Sequence, residues 1–460
     1  MKCRALVLTL ILAPACPANP TTWTPCRNTP DPPERGSTST EVPDEAKKLN
    51  HRGLERLTKR EYDASVELFR QALKIKPDYA DALNNLGKAL DALGKDDEAI
   101  GEFDQALKLA PENAVIHSNK GLALSHEGKF EEAVASYRKA VEIHDQFTEA
   151  HNGLGANLLH LGKTDEAVGE FRKAIQINPK NVDALNNLGT TLLEENKPEE
   201  ALVHLKRAHK LKPDATDVME NYAAALGANG HTGEAISAYQ KVVAKQPDHA
   251  AAWAHLGYLL SSEQRYAEAA ESYQKSLALK HDQAEVLRAL GFAEINQGKW
   301  KEANGPLEQS LALKPNDFHT LVYLGSVYSQ EKNHVKAVAN YEKALALKPD
   351  DVDALTGLAG SQLALNRNAE ATANYQKAMS VRPNDPNIRF NLGTALFNKG
   401  NYQEAVASYR EAVRLKPDLA NAHYNLGMSL LRLNDTKTAQ AEFAEAQRID
   451  PSLNSPIDKD

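Results

Sequence analysis

Residues 81–87 read DALNNLG, and residues 183–189 read DALNNLG again. The copies lie 102 residues apart, three times 34. Cutting the chain every 34 residues from Ala46 yields twelve units without insertion or deletion, ending at Leu453. Position 8 of the unit is Gly in ten copies and Ala in the other two, Ala223 and Ala359. Position 20 is Ala in eleven copies and Ser65 in the first. Position 32 is Pro in ten, with Asp145 and His281 as the exceptions. A period kept this strictly makes the heptapeptide part of a structural unit rather than a doubled active-site loop.

The spacing within the unit predicts two helices. Apolar or small residues at positions 4, 7, 8 and 11 follow the i, i+3, i+4, i+7 rule of an amphipathic helix. Positions 20, 24, 27 and 28 mark one face of a second helix. Small residues at positions 8 and 20 suit two helix backbones in close approach. Position 24, usually Phe or Tyr (Phe69, Phe103, Tyr137, Phe171, Tyr239, Tyr273), fills the gap between them. Gly or Asn at position 15 (Gly94, Gly128, Gly162, Asn196, Gly230) ends the first helix where positive φ is needed. The proline at position 32 stops the second. A helical hairpin cannot bury its apolar face alone, so the units must stack.

The L-G … A-x3-F … P pattern over residues 46–453 resembles the tetratricopeptide repeat. That resemblance implies an all-α fold, a right-handed α-solenoid in which the first helix of each pair lines the concave side. Gapless tandem arrays of this kind are similar to the repeat arm of O-GlcNAc transferases. Only the arm is similar, because the rest of the chain leaves no room for a glycosyltransferase domain.

The flanks differ from the array. Lys2 and Arg4 precede a mostly apolar run from Ala5 to Ala13, followed by Pro14 and Ala15. Residues 1–15 read as a signal peptide, too short to span a bilayer, so the chain is expected to be exported to a periplasmic or extracellular space. Cys16 follows directly and resembles a bacterial lipidation site, although Ala13 and Pro14 depart from that motif. Residues 16–45 are rich in Pro and Thr and read as a flexible linker. Residues 454–460 form a short tail, too brief for a capping helix. All three cysteines (Cys3, Cys16, Cys26) precede the array, so no disulfide framework or Cys-based zinc site belongs to it. The net charge of −8 offers nothing to a polyanion, and nucleic acid is not an expected partner.

No catalytic constellation emerges, and neither a cofactor nor a metal is called for. Gly162-Lys163-Thr164 imitates the end of a phosphate-binding loop, but the required earlier glycine is Asn157. His117, His151 and His423 occupy position 4, a packing site. His126 and His160 share position 13 in adjacent repeats, and a metal bridging them lacks further ligands. Acids at positions 18 and 19 (Glu131, Glu132, Glu199, Glu200) open second helices, where the dipole favours them.

Binding chemistry is instead expected on positions 2, 5, 6, 9, 12 and 13, opposite the packing stripe of the first helix. Position 6 is Asn in six copies: Asn85, Asn119, Asn187, Asn221, Asn391 and Asn425. A row of amides suits the backbone of an extended peptide and resembles the asparagine ladder of the O-GlcNAc transferase arm. In repeats seven to ten, position 6 holds His255, Ala289, Tyr323 and Gly357. Tyr258 and Phe292 at position 9, with Tyr323, are expected to form an apolar anchor there. Frequent acids at position 2 (Asp81, Glu149, Asp183, Asp217, Glu285, Asp353) disfavour acidic ligands. Position 9 is never Asn and position 6 is never Arg, so the carboxylate clamp of repeats that bind heat-shock chaperones is missing.

The expected function is a non-enzymatic scaffold for an extended peptide or protein partner. The alternatives are an assembly component of the cell envelope, anchored by lipid at Cys16, and an arm recruiting substrate for a separate glycosyltransferase. Two departures bear on assembly. Gln440 and Gln447 give the last repeat a polar outer face, and Asn304-Gly305-Pro306 should kink or loosen the second helix of repeat eight near 303–307.

Overall fold

The computed structural model describes residues 42–456. The expected signal segment 1–15, Cys16 with the other cysteines, and the linker up to residue 41 lie outside the described residues. Helices run in unbroken succession from Asp44–Thr58 to Thr436–Ile449, two per repeat, with no strand among the described residues. The first begins two residues before the expected boundary. Pro43 stands at its N-terminal boundary, and Asp44 and Glu45 occupy its first turn, where negative charge meets the positive end of the helix. No helix of the described residues is long and apolar enough to cross a membrane.

The chain divides into two compact units, Met1–Pro247 and Asp248–Asp460. The first carries repeats one to six and the second repeats seven to twelve. Within each unit, every helix packs against the next, and first helices of successive repeats also touch one another. First helices crowded together in this way form the inner side of each unit's curve.

The reason for glycine at position 8 is more specific than close helix approach. A Cβ built on Gly87 would stand 2.6 Å from the ring of Phe103, and one on Gly257 would stand 2.5 Å from the ring of Tyr273. The side chain at position 24 therefore occupies the volume that a larger residue at position 8 would need. The rings of Phe69, Phe103, Phe171 and Tyr273 are buried in consequence, and each is worth about 1.5–3 kcal/mol relative to exposure. Position 20 is fully buried throughout, and in the one serine copy the Ser65 hydroxyl donates to the Gly53 carbonyl at 3.0 Å. Position 15 has positive φ in all twelve repeats, including Arg60, Gln264 and Lys332, where neither Gly nor Asn is present. The left-handed turn is thus imposed by the hairpin and only eased by glycine.

Second helices of the first unit are tied externally. Arg70, Arg138 and Arg172 reach Glu98, Glu166 and Glu200 of the following repeat at 3.4, 2.7 and 2.7 Å. These pairs are exposed, so each contributes about 1 kcal/mol at most. Gln440 and Gln447 are exposed on the last helix, as expected of a terminal face. In repeat eight the second helix runs unbroken from Trp300 to Leu313 through Pro306. Gly305 has no Cβ to clash with the proline ring, which lets the helix run on through Pro306.

Candidate functional site

Four of the six asparagines at position 6, all in the first unit, form rungs that are pairs. In the first unit Asn85 Nδ2 donates to Asn50 Oδ1 at 3.0 Å, and Asn119 Nδ2 to Asn84 Oδ1 at 2.9 Å. Asn187 donates likewise to Asn152 at 3.1 Å, and Asn221 to Asn186 at 2.9 Å. Donor and acceptor are 35 residues apart, so position 6 of one repeat holds position 5 of the repeat before. Asn85 is only 8% exposed and is mostly structural, whereas Asn119, Asn187 and Asn221 are half-buried. Each of these three spends one N–H on its neighbour and keeps a carbonyl oxygen and a second N–H for other partners.

The ladder breaks at Gly153, and the structure shows why. A Cβ there would lie 2.5 Å from the Tyr137 ring and 2.8 Å from its hydroxyl. Position 24 of one repeat thus presses on position 6 of the next. After Phe69, Phe103, Phe171 and Leu205 at position 24, Asn follows at position 6. Leu307 departs from this, since Tyr323 follows it. Where position 24 is Tyr, Gly153, His255, Ala289 or Gly357 follows in the sequence, and at Gly153 and Gly357 the Tyr137 and Tyr341 rings fill the space a Cβ would need. Asn391 and Asn425 are the exceptions in the second unit, following Tyr375 and Tyr409; there the Tyr409 hydroxyl donates to Thr394 at 3.0 Å. Neither has a second amide behind it at position 5 of the preceding repeat, where Thr356 and Phe390 stand.

The expected apolar anchor is rearranged. Tyr258 is 6% exposed and packs edge-on against Tyr273 at 5.2 Å between centroids, so it belongs to the core and not to the groove. Phe292 and Tyr323 are half-buried and lie 5.4 Å apart. Tyr266 stands edge-on to Phe292 at 6.1 Å, and His319 lies 6.5 Å from Tyr323. Burial, then the nearby charges of Arg288 and Lys348, hold His319 below its ordinary pKa, so the ring is neutral near pH 7. His319 and Tyr266 complete an aromatic strip over three repeats. Neither stands out in the sequence. His319 falls at position 2, which is acidic in half of the copies, and Tyr266 falls at position 17, outside the first helix.

The acids of position 2 also differ between units. Glu285 and Asp353 are paired with Lys314 and Arg382 at 2.7 and 3.1 Å. Glu149, Asp183 and Asp217 of the first unit make no ion pair among the described residues. The first unit therefore presents amides with uncompensated negative charge, and the second presents aromatic rings with these two acids neutralised.

The histidines sort themselves. His151 and His423 are buried, and each is held at both ring nitrogens: His151 by Glu170 at 2.5 Å and the Asp145 carbonyl at 3.0 Å, His423 by Glu442 at 2.6 Å and the Pro417 carbonyl at 3.0 Å. His117 reaches the Pro111 carbonyl at 2.8 Å. His160 stacks on Phe130 at 4.3 Å, and His126 instead meets Asp91 at 2.9 Å, so the two do not share a ligand set. Asn157 is 2% exposed and bonded to Ser125 and Gly153, and Gly162 has a φ of +71°, positive as at every position 15, which leaves no phosphate loop there.

Models of the tetratricopeptide repeat match residues 51–114, 112–180 and 420–453, and a TPR repeat model matches 361–400 and 394–434. A model described as the cilia and flagella-associated protein 70 C-terminal domain matches residues 148–356. Among similar solved structures, the APC/C hetero-tetramer Cut9–Hcn1 is 16% identical, with 90% of this chain and 94% of that chain covered at a TM-score of 0.43. YrrB, described as a TPR protein with an unusual peptide-binding site, is 28% identical over 41% of this chain and 96% of its own, at a TM-score of 0.38. MamA from Desulfovibrio magneticus RS-1 is 23% identical over 37% of this chain and 97% of its own, at 0.36. No curated protein matches significantly.

Proposed function

Given that the chain belongs to the tetratricopeptide repeat family, we propose that it is a non-catalytic scaffold whose first helices bind an extended polypeptide. The observation that carries this reading is the paired ladder. Asn119, Asn187 and Asn221 are fixed in orientation by Asn84, Asn152 and Asn186, so each offers a pre-set acceptor and donor to a peptide backbone. Backbone recognition is indifferent to side chains, and the unpaired Glu149, Asp183 and Asp217 then favour basic over acidic segments. In the second unit Phe292 and Tyr323 hold an apolar side chain of the ligand. Export is part of the same proposal, supported by Lys2, Arg4 and the apolar run Ala5 to Ala13.

The test is binding of the mature chain to an arrayed peptide library. Asn187→Ala with Asn221→Ala should weaken every bound peptide about tenfold, the loss expected for one or two well-made hydrogen bonds. Phe292→Ala with Tyr323→Ala should weaken only those containing a large apolar residue. A library in which neither double variant changes any affinity would remove the reading.

A further inference from the structure

The first helix of repeat two ends at Asp91, the second begins at Asp96, and the first helix of repeat three ends at His126. Each contributes one ligating atom to a space in which all three atoms lie within 4.8 Å of one another. His126 Nδ1 and Asp91 Oδ1 are already 2.9 Å apart. The Asp91 side chain is 14% exposed and that of His126 is 27% exposed, so the cluster is partly enclosed.

A second observation comes from Asp96. Its Oδ1 atom is shielded from solvent and has no hydrogen-bond partner. A shielded carboxylate oxygen without a donor is costly, because it has left water and gained nothing in exchange. The nearby lysine does not relieve this, since Lys129 is taken up by Glu127 at 2.6 Å and Asp97 at 3.5 Å. Two carboxylates and an imidazole nitrogen thus converge on one space.

We propose that Asp91, Asp96 and His126 bind a first-row divalent cation, of the class of zinc, cobalt or manganese, and thereby staple repeat two to repeat three. A mixed set of nitrogen and carboxylate oxygen without thiolate suits these ions. Zinc takes such ligands at about 2.0–2.2 Å, which sets ligand atoms roughly 3.3 Å apart in a tetrahedral shell. The three side chains need to close only modestly from their present spacing. For Nδ1 to ligate, the His126 ring carries its proton on Nε2. Three protein ligands leave a coordination position for water.

The experiment uses the full chain, stripped with chelator and titrated with zinc or cobalt salt alone by calorimetry. One equivalent should bind, raise the melting temperature, and give cobalt a visible absorption band. His126→Ala and Asp96→Asn should each weaken binding at least tenfold, and His160→Ala should leave it unchanged. His126 lies at the surface end of its helix, so its variant should fold even if Asp96→Asn does not, and melting of the metal-free variants checks this. Absence of binding overturns the proposal, as does equal binding in the folded His126→Ala variant, which would place the metal on the cysteines or on scattered acids.

Discussion

Repeats two to six and repeats seven to twelve share one hairpin yet present different inner faces. In four of the first unit's six repeats Phe or Leu at position 24 is followed by Asn at position 6 of the next repeat, and the amides pair across the interface. In the second unit position 24 is Tyr in four of the six repeats (Tyr273, Tyr341, Tyr375, Tyr409), and the paired ladder gives way to small or aromatic residues and to Asn391 and Asn425, which have no amide at position 5 behind them. The ring at position 24 therefore bears on what position 6 of the next repeat can carry. The core is not independent of the groove.

The most damaging way to probe this difference is to force a rung where a tyrosine stands. Gly153→Asn should cost about 2–3 kcal/mol through overpacking against Tyr137, measured by urea unfolding. Adding Tyr137→Phe, which recreates the Phe103–Asn119 arrangement, should return at least half of that loss. No recovery would mean that Tyr137 is not the cause of the gap.

Removing a rung should cost less. Asn152→Ala leaves Asn187 without its acceptor and should destabilise by about 1 kcal/mol. Asn391→Ala in the second unit should change stability by less than about 0.5 kcal/mol, since no amide partner is lost. Equal losses at the two sites would erase the distinction between paired and unpaired asparagines.

Acid should act on the second unit through Asp317. Burial alone would raise this carboxyl, but bonds from Thr320 and the charge of Arg288, 2.9 Å away, outweigh it and hold the pKa below the ordinary value. A depressed folded pKa adds stability that is present above the unfolded value of about 3.9 and is lost as pH falls through the folded one. Asp317→Asn keeps a cap on the helix Phe318–Gln330 and should cost about 1 kcal/mol at pH 7. The gap between variant and parent should narrow in unfolding experiments as pH falls below about 4. A constant gap at all pH values would contradict the assignment.

The smallest effect is expected at Pro306. It deletes one helical hydrogen bond, so amides of residues 303–307 should exchange about fivefold faster than those of 337–341, the matching segment of repeat nine. Equal protection would show that packing around the unbroken helix compensates fully.

The period of 34, the small residues at positions 8 and 20, and the proline at 32 made the fold legible, because each answers a steric demand that recurs along the array. The candidate site was legible in part. Asn187 and Asn221 at position 6 and Asn152 and Asn186 at position 5 fall on the expected stripe, but their pairing could not be read, since it crosses a repeat interface. The same heptapeptide DALNNLG holds both halves, with Asn186 accepting from the next repeat and Asn187 donating to the previous one. Tyr258 was misplaced for a related reason: position 9 lies opposite the packing stripe by spacing alone, and only contact with Tyr273 draws this ring inside.

Local spacing by itself thus determined the helices, their ends and their stacking, because these follow from contacts within one repeat and its near-identical neighbour. Which polar groups stay available to a ligand was decided only in the tertiary structure. Hydrogen bonds between Asn pairs, the reach of a tyrosine hydroxyl, and the meeting of Asp91, Asp96 and His126 all join residues of different repeats. Such meetings depend on distances between side chains that no period along the chain encodes.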